Sequence, residues 1–293
     1  MTRAGIVTVV GEPNSGKSTL LNRIVGQKLS ITSPKPQSTR NRVVGIHTTD
    51  DVQMVITDTP GLLDPRYPLQ QAMRSTALEA LRDADVILYL ADAREGPPPS
   101  LAKAASLESA PRAPVILALN KIDTLGAAER DALRERMPAA VQLSALTGEG
   151  VDRLLLEVGE HLPESPFLYP ADEIGTQSLR FFASELVRET ALEQLDEEVP
   201  YSVACEIEEF REEQRPVYIR ATIFVERESQ KRILIGDKGA RIRELGRVAR
   251  RKIEELVDAP VYLDLWVKVL QNWRRSPHAL RRFGYKLPEE RSE

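Results

Sequence analysis

Eight consecutive residues near the start of the chain have the types and spacing of a phosphate-binding loop: Gly11, Glu12, Pro13, Asn14, Ser15, Gly16, Lys17 and Ser18. The two glycines allow the backbone to turn so that its N–H groups point at a phosphate. Lys17 would reach the outer phosphates, and the Ser18 hydroxyl would bind Mg²⁺. The apolar run 5–10 precedes this loop, and a helical pattern begins at Thr19. Strand, loop and helix follow in the order that the motif requires. We therefore predict a nucleotide site that includes the eight loop residues and Thr19.

A second polar motif follows the apolar run 52–57 and consists of Asp58, Thr59, Pro60 and Gly61. An aspartate at the carboxyl end of such a strand can hold Mg²⁺, and here we expect it to do so through water. The N–H of Gly61 can approach a γ-phosphate because no side chain blocks it. The motif therefore adds a metal ligand and a contact to the terminal phosphate.

Two further motifs indicate which base is bound, and each follows an apolar run. Their members are Asn120, Lys121 and Asp123, and then Ser144, Ala145 and Leu146. The Asp123 carboxylate only accepts hydrogen bonds, so it can take both the N1–H and the N2 amino group of guanine, whereas adenine presents an acceptor at N1. We expect Asn120 to brace the loop and Lys121 to lie over the ring. The four motifs in this order resemble the translation-factor-like branch of GTPases.

The elements that must position these motifs can be read from the same region. Strand-like and helical patterns alternate up to about residue 161, which predicts a mostly parallel sheet with ligands at the carboxyl ends of its strands. The segment 162–170 carries three prolines and cannot continue a helix. We therefore predict an α/β P-loop GTPase domain over residues 1–165 and a linker over residues 166–177.

A loop between the first helix and the next strand, residues 31–44, carries two prolines and many polar groups, which favours mobility. In this fold the loop would be the first switch, which closes over the γ-phosphate. Thr39 is our choice for the hydroxyl that reaches Mg²⁺, and Ser38 is the alternative. We predict that Lys17, Thr39 and Gly61 are the catalytic residues.

Two positions bear on the mechanism of hydrolysis. Leu62 follows Gly61 directly, where Ras-like proteins have a glutamine that orients the attacking water, so we expect slow intrinsic turnover. GTPases that share the Gly-x-Pro-Asn phosphate loop resemble one another in binding K⁺ near the phosphates. That resemblance makes Asn14 a candidate K⁺ ligand, and the alternative is an asparagine that only stabilises the loop by hydrogen bonds.

The second half of the chain has a different pattern. A helical segment and two alternating runs precede a Gly-x-x-Gly loop, which lies between two helical patterns and before a last strand at 261–267. The loop resembles the KH RNA-binding loop, which presses against the backbone of single-stranded nucleic acid. We predict an α+β type II KH domain with a basic carboxy-terminal tail over residues 178–293. The predicted RNA contacts are Ile235, Gly236, Asp237, Lys238, Gly239, Arg241 and Arg243.

Charge is distributed unevenly, although the net charge of the chain is only −4. Residues 227–252 contain ten Lys or Arg and three acids, and residues 268–286 contain six Lys or Arg and no acid. Residues 185–213 contain eleven acids and two Arg. A basic stripe that coincides with the predicted loop favours RNA binding. The alternative is a helix over 241–255 whose charges pair with one another.

Single residues of this half carry further predictions. We expect Trp266 to pack in the core, and Trp273 and Phe283 to be surface contacts. Cys205 is the only cysteine, so a disulfide within the chain and a cysteine metal cluster are excluded. We expect Cys205 to lie on a strand as a small apolar residue.

Nearly the whole chain resembles the bacterial Era GTPases, which combine one GTPase domain, a short linker and a KH domain. The stretch from Pro34 to Arg40 looks like the family's first-switch signature, with Ser38 where a threonine is usual. The resemblance implies GTP and GDP as ligands with Mg²⁺. It also implies binding to the 3′ end of 16S rRNA and a role in maturation of the 30S subunit. Peripheral association with the inner membrane rests on the resemblance alone.

Length and composition agree with a cytoplasmic protein of two domains, and we expect it to act as a monomer. No apolar run approaches the ~20 residues that a spanning helix needs, and the first strand begins too early for a signal peptide. Two alternatives remain at this point. One is a GTP-binding module that acts through protein or membrane partners. The other is an ATP-dependent P-loop enzyme, which a switch from guanine to xanthine in the Asp123→Asn variant would exclude.

Overall fold

The chain, described here by a computed structural model over residues 1–288, divides into two compact units. The first contains residues 1–66 and 70–176, and the second contains residues 67–69 and 177–288. The last five positions of the predicted basic tail, 289–293, lie outside the described residues. No helix within residues 1–288 combines the length and the apolar composition needed to cross a membrane.

A six-stranded sheet forms the centre of the first unit, in the order β2-β3-β1-β4-β5-β6. The strands are β1 (Arg3–Val10), β2 (Val43–Thr48), β3 (Val52–Asp58), β4 (Val86–Asp92), β5 (Val115–Asn120) and β6 (Val141–Gln142). The helices are α1 (Lys17–Val25), α2 (Pro68–Asp83), α3 (Leu101–Ala104), α4 (Ala127–Arg136) and α5 (Val151–His161). Only β2 runs antiparallel to its neighbour, so the prediction of a mostly parallel sheet is confirmed.

The carboxyl ends of the parallel strands position the predicted motifs. Strand β1 lies between β3 and β4, so the loop after it opens at the point where the strand order reverses, and ligands bind at such points. Strand β4 is buried at every position, as its continuous apolar sequence indicates. The phosphate loop follows β1, Asp58 ends β3, and Asn120 ends β5.

The proline-rich segment after α5 is held against the sheet of the first unit. The buried Gln53 side chain accepts hydrogen bonds from the N–H groups of Leu168 and Tyr169 at 2.7 and 2.9 Å. The N–H of Ile46 in β2 donates to the carbonyl of Ile174 at 2.9 Å. The compact unit therefore extends to residue 176. The domain boundaries 1–165, 166–177 and 178–293 stay predictions.

A three-stranded sheet and four helices form the second unit. The strands are β7 (Ala204–Arg211), β8 (Val217–Val225) and β9 (Val261–Val269), in the order β7-β8-β9. The helices are α6 (Leu179–Gln194), α7 (Glu228–Ile235), α8 (Ala240–Val257) and α9 (Pro277–Arg282). Strands β7 and β8 are antiparallel and β8 and β9 parallel. This arrangement confirms the predicted KH fold.

Alternate residues of the strands pack against the helices. Ile219 and Ile223 of β8 lie in one core with Leu245 and Ile253 of α8. The alternating sequence pattern predicts a strand from Tyr201 to Ile207, but strand β7 begins at Ala204. A 3-10 turn, Pro200–Ser202, occupies the earlier positions because proline has no N–H to give to a strand ladder.

The predictions for the two tryptophans were wrong. Trp266 is 55% exposed, because it lies on the outward face of the edge strand β9. Trp273 is fully buried in the turn after β9, and its indole N–H donates to the carbonyl of Ser202 at 2.7 Å. Phe283 is half-buried and packs edge-on against Trp273, with ring centroids 5.1 Å apart. Trp273 and Phe283 therefore stabilise the core and are not surface contacts. Cys205 lies on β7 and is half-buried, as predicted.

Candidate functional site

Close backbone packing requires the two glycines of the phosphate loop. A Cβ atom at Gly16, where φ is +99°, would lie 2.2 Å from the Asn120 carboxamide. A Cβ atom at Gly11 would lie 2.1 Å from the carbonyl oxygen of Leu90. Helix α1 begins directly after Gly16, so the positive end of its dipole faces the loop. The loop and the helix end together form a cradle for an anion.

Lys17 is buried inside this cradle. Its ammonium group donates to the carbonyl oxygens of Gly11 at 3.1 Å and Glu12 at 2.7 Å. Burial lowers the pKa of Lys17 to about 8, although the neighbouring Asp58 carboxylate opposes the shift. A phosphate group would replace carbonyl dipoles with full negative charge, so the ammonium is placed to bind it.

A cavity of about 480 Å³ lies over the loop and contains most of the predicted phosphate and metal contacts. Its lining includes Pro13, Asn14, Gly16, Lys17, Ser18, Thr19, Thr39 and Gly61. Gly61 abuts the loop itself, because a Cβ atom there would lie 2.8 Å from the backbone nitrogen of Pro13. A side chain at this position would therefore displace the phosphate loop.

Three oxygen-bearing side chains meet beside the cavity and fit a Mg²⁺ site. The Ser18 hydroxyl lies 2.7 Å from Oδ2 of Asp58 and 2.8 Å from the Thr39 hydroxyl. Oδ1 of Asp58 is buried without a hydrogen-bond partner among the described residues. Burial raises the pKa of Asp58, and the Lys17 charge opposes that shift. An oxygen-only set with one carboxylate is the kind of site that Mg²⁺ prefers.

The geometry separates the two candidates in the first switch. The Thr39 hydroxyl is buried and also lies 3.4 Å from Oδ2 of Asp58. Ser38 lines the cavity. Thr39 is therefore the residue whose hydroxyl is already within reach of the metal ligands.

A second cavity of about 240 Å³ adjoins the first through Gly16, Thr19 and Lys121 and contains the predicted base contacts. Its lining also includes Asn120, Asp123, Ala145 and Leu146. Asn120 braces three loops at once. Its Nδ2 donates to the carbonyl of Ser15 at 2.7 Å, and its Oδ1 accepts from the N–H of Ala145 at 2.8 Å.

Sequence reasoning missed one residue that orders this region, Asp92. Its Oδ2 accepts from the Lys121 ammonium at 2.7 Å, and the same ammonium donates to the carbonyl of Asn14 at 2.6 Å. Burial would raise the pKa of Asp92, but hydrogen bonds from Arg94 and Lys121 outweigh it and hold that pKa well below its usual range. Its position at the carboxyl end of β4 was the signal that could have identified it.

Some predicted residues support the site without lining these two cavities. The Thr59 hydroxyl donates to the carbonyl of Val9 at 2.8 Å and joins β3 to β1. Ser144 is fully buried, and its hydroxyl accepts from the N–H of Thr147 at 3.1 Å. Pro60 is buried in the turn before Gly61. Glu12 lines a neighbouring cavity with Asp92 and contributes its carbonyl to Lys17.

Leu62 and Asn14, the two positions that bear on hydrolysis, differ in burial and in polar contacts. Leu62 packs in the core, 6% exposed, and offers no polar group to a water molecule. Asn14 has φ +64°, and its side-chain nitrogen donates to the carbonyl of Pro34 at 2.9 Å. That hydrogen bond stabilises the loop and leaves the carboxamide oxygen as the candidate ligand for K⁺.

The Gly-x-x-Gly loop of the second unit projects between α7 and α8. Gly236 has φ +71°, and a Cβ atom there would lie 2.7 Å from Cβ of Arg241. Lys238 also has positive φ, +45°, and is exposed with Asp237. Arg241 donates to the carbonyl of Ile233 at 3.2 Å, and Arg243 donates to that of Gly239 at 3.2 Å. Both arginines order the loop.

Ion pairs reduce the basic stripe to a smaller set of cations. Lys252 binds Glu189 at 2.9 Å and Glu193 at 2.7 Å, and Arg250 binds Glu254 at 3.1 Å. In the tail, Lys268, Arg274 and Arg282 each pair with a glutamate. Within residues 1–288, seven of the ten cations of residues 227–252 make no ion pair: Arg227, Lys231, Arg232, Lys238, Arg241, Arg243 and Arg251. The alternative of a paired helix is thus correct for part of α8.

Sequence comparisons match both units. A family model described as a 50S ribosome-binding GTPase matches residues 6–121, and one described as a KH domain matches residues 198–274. GTPase Era of Ectopseudomonas mendocina is 43% identical over 97% of this chain and 98% of its own length. GTPase Era of Halothermothrix orenii is 42% identical over 97% of this chain and 99% of its own.

Two solved structures cover 98% of this chain and 100% of their own, each at 39% identity. One is a tyrosine-to-alanine variant of Era from Aquifex aeolicus bound to GDP and aluminium fluoride, with a TM-score of 0.89. The other is Era in complex with MgGDPNP and nucleotides 1506–1542 of 16S ribosomal RNA, with a TM-score of 0.90. Similarity of this extent spans both units of the chain.

Proposed function

The chain belongs to the Era family of GTPases and hydrolyses GTP, and on this premise we propose that it is a nucleotide-dependent switch that binds the 3′ end of 16S rRNA. In this role it assists 16S rRNA processing and biogenesis of the 30S ribosomal subunit. The observation that carries the proposal is the full-length similarity to an Era structure that holds MgGDPNP and 16S rRNA together. The Gly-x-x-Gly loop and its unpaired cations supply a surface of the required chemistry.

The choice of small-subunit RNA rests on the more extensive similarity. The 50S ribosome-binding description belongs to a family model that covers residues 6–121 only. The Era complex with 16S rRNA covers 98% of the chain, including the KH domain that would contact RNA. The KH domain therefore decides the target in this proposal.

The proposed nucleotide contacts follow the geometry of the first unit. Lys17 and the N–H groups of the phosphate loop would bind the phosphates, and Asp123 would select guanine. Ser18, Thr39 and Asp58 would hold Mg²⁺, which when bound neutralises charge on the phosphate oxygens. Leu62 cannot orient water, so intrinsic hydrolysis would be slow. With Asn14 as a K⁺ ligand, hydrolysis would be faster in KCl than in NaCl, and Asn14→Ala would remove the difference.

The proposal places the protein in the cytoplasm as a monomer, with a peripheral fraction on the inner membrane. The membrane-associated fraction rests on family resemblance alone. Sedimentation of the pure protein with anionic lipid vesicles, with and without the GTP analogue, tests it. Recovery only in the supernatant would remove the membrane from the proposal.

The first experiment measures RNA affinity of the full chain with GDP, with a non-hydrolysable GTP analogue and without nucleotide. The RNA has the sequence of nucleotides 1506–1542 of 16S rRNA, and a scrambled RNA of equal length is the comparison. We expect the tightest and most sequence-selective binding with the GTP analogue. Equal, weak binding in all states would favour a GTP-binding module that acts through protein partners.

A charge-matched pair of variants makes the test specific to the loop. Lys238→Ala with Arg241→Ala removes two cations from the loop, and Arg134→Ala with Arg136→Ala removes two exposed cations from α4. Loss of RNA affinity in the first variant with normal GDP binding, and none in the second, supports the proposal. If the two variants bind the RNA with equal affinity, the proposal is contradicted.

A further inference from the structure

The second unit has an exposed aromatic surface on the side of its sheet that faces away from α6 and α8. The outer sheet face consists of the outward residues of β8 and β9: Tyr218, Arg220, Thr222, Phe224, Tyr262, Asp264, Trp266 and Lys268. Tyr262 is 58% exposed and Trp266 is 55% exposed. Isolated exposed aromatic residues are ordinary, but two on one face of one strand form a surface that the GTPase site does not explain.

Stacking and polar contacts hold the rings of Tyr218 and Tyr262 in place. Tyr218 stacks on Tyr262 with ring centroids 5.8 Å apart and planes 11° apart. Its hydroxyl donates to Asp264 at 3.1 Å, and Arg220 donates to the same carboxylate at 3.0 Å. Arg211 lies over the Tyr218 ring at 5.1 Å. The face is therefore an ordered platform of aromatic rings and guanidinium groups.

Charge on this face is close to balanced. Asp264 pairs with Arg220, and Glu208 accepts from Lys268 at 2.9 Å and from Thr222 at 2.8 Å. The hydrogen bonds from Lys268 and Thr222 lower the pKa of Glu208. A balanced face neither repels phosphates nor attracts them strongly, so a ligand would bind there through its rings.

We propose that the outer sheet face is a second RNA contact, at which an unpaired base stacks on Trp266. The inference rests on the proposed function, because it assumes that the RNA bound at the Gly-x-x-Gly loop continues beyond it. A KH loop clamps about four nucleotides, whereas the RNA in the related complex runs from 1506 to 1542. Most of such an RNA lies outside the clamp and is available to contact other surfaces.

The position of β9 connects the two surfaces. It is the edge strand of the sheet, and its Leu265 packs 3.7 Å from the Cβ position of Gly246 in α8, the helix that follows the loop. Trp266 is the next residue and points to the opposite face. RNA that leaves the loop past the free edge of β9 therefore meets Trp266. Aromatic rings on a sheet are a common stacking surface for unpaired RNA bases.

The tryptophan content of the chain gives a direct test. Trp266 is exposed and Trp273 is buried, so RNA stacking should quench the emission of Trp266 selectively. We expect the 1506–1542 RNA to quench the fluorescence of the full chain. The Trp266→Phe variant should lose this quenching but keep its affinity within about threefold, because a phenyl ring still stacks.

Affinity measurements complete the test. Trp266→Ala should weaken binding of the same RNA by roughly 5- to 100-fold, and this ratio should be unchanged between roughly 50 and 200 mM salt, since stacking releases no counterions. Leu156→Ala, which removes a 72% exposed apolar side chain from α5, is the matched control and should bind as the wild type does. Thermal unfolding of each variant verifies its fold.

Failure of this inference can be distinguished from failure of the proposed function. If the Lys238→Ala, Arg241→Ala variant loses RNA affinity and Trp266→Ala does not, the RNA site at the loop stands and the outer sheet face is no part of it. The face would then be assigned to a protein partner. If the wild type does not distinguish the 1506–1542 RNA from a scrambled one, both proposals are overturned.

Discussion

At the scale of single residues, the nucleotide site depends on side chains that hold one another as much as on those that would touch a ligand. Lys121 is fixed between the carbonyl of Asn14 and the carboxylate of Asp92. Asn120 joins the phosphate loop to Ala145. Because such supports decide where the binding groups lie, substitutions away from the ligand should alter nucleotide exchange.

The first prediction at this scale concerns Asp92. Asp92→Ala should accelerate GDP dissociation by about 10- to 100-fold, since a hydrogen bond to a charged group contributes about 1.5–3 kcal/mol. Asp92→Asn should accelerate GDP dissociation by a factor at the low end of this range. Release of a fluorescent GDP analogue measures the rate, and Asp131→Asn on the exposed side of α4 is the control.

The pH dependence of this effect has a definite sign. The pKa of Asp92 lies well below its usual range, so its ion pair is complete above that range and is lost only as the pH falls through the lowered value. The rate ratio between variant and wild type should therefore be the same at pH 6 and pH 8. Unchanged dissociation in both variants would mean that Asn14 alone positions Lys121.

The second prediction separates Thr39 from Ser38. Thr39→Val should lower the kcat of GTP hydrolysis at least tenfold and raise the Mg²⁺ concentration that hydrolysis requires, because its hydroxyl lies 2.8 Å from that of Ser18. Ser38→Ala should stay within about twofold of wild type. A larger loss in Ser38→Ala than in Thr39→Val would reverse the assignment.

At the scale of elements, hydrophobic pattern identified strands and helices but did not tell which face of a strand is covered. Side chains of strand β9 alternate strictly between the two faces of the sheet. A shift of one residue in register would therefore exchange its inward and outward side chains. Trp266 belongs to the outward set, and the turn after the strand buries Trp273 instead. The carboxy-terminal elements thus close one end of the KH core.

The prediction at this scale contrasts the two tryptophans. Trp273→Ala should lower the free energy of unfolding of the second unit by about 3–5 kcal/mol, because it leaves a cavity and an unpaired Ser202 carbonyl. Trp266→Ala should change it by no more than about 0.5 kcal/mol. Urea unfolding followed by circular dichroism measures both. Similar losses for the two variants would refute the assignment of Trp273 to the core.

At the scale of the whole molecule, the chain consists of two compact units whose functions rest on different physics. The first unit has cavities lined by buried polar groups, where we expect it to bind the nucleotide. The second presents an exposed loop beside a local group of unpaired cations, in a chain of net charge −4. We therefore expect RNA binding to depend on the local surface of the loop and the adjoining sheet rather than on overall charge.

The prediction at this scale concerns where the first unit ends. A fragment of residues 1–176 should unfold at higher temperature than one of residues 1–165, because the shorter one leaves the buried Gln53 amide without its partners. An unsatisfied buried group costs about 1–3 kcal/mol. Calorimetry with saturating GDP measures the difference. Equal unfolding temperatures would place the boundary at 165.

The sequence by itself determined the parts of this protein that lie within a few consecutive residues. The phosphate loop, the Asn-Lys-x-Asp motif and the Gly-x-x-Gly loop could be predicted because their backbone geometry and chemistry are encoded locally. Tertiary structure alone decided what depends on distant partners. Examples are the pairing of Asp92 with Lys121 and the opposite burial of Trp266 and Trp273. The ion pairing of part of the basic stripe is a further example, since burial and ion pairing depend on which elements pack together.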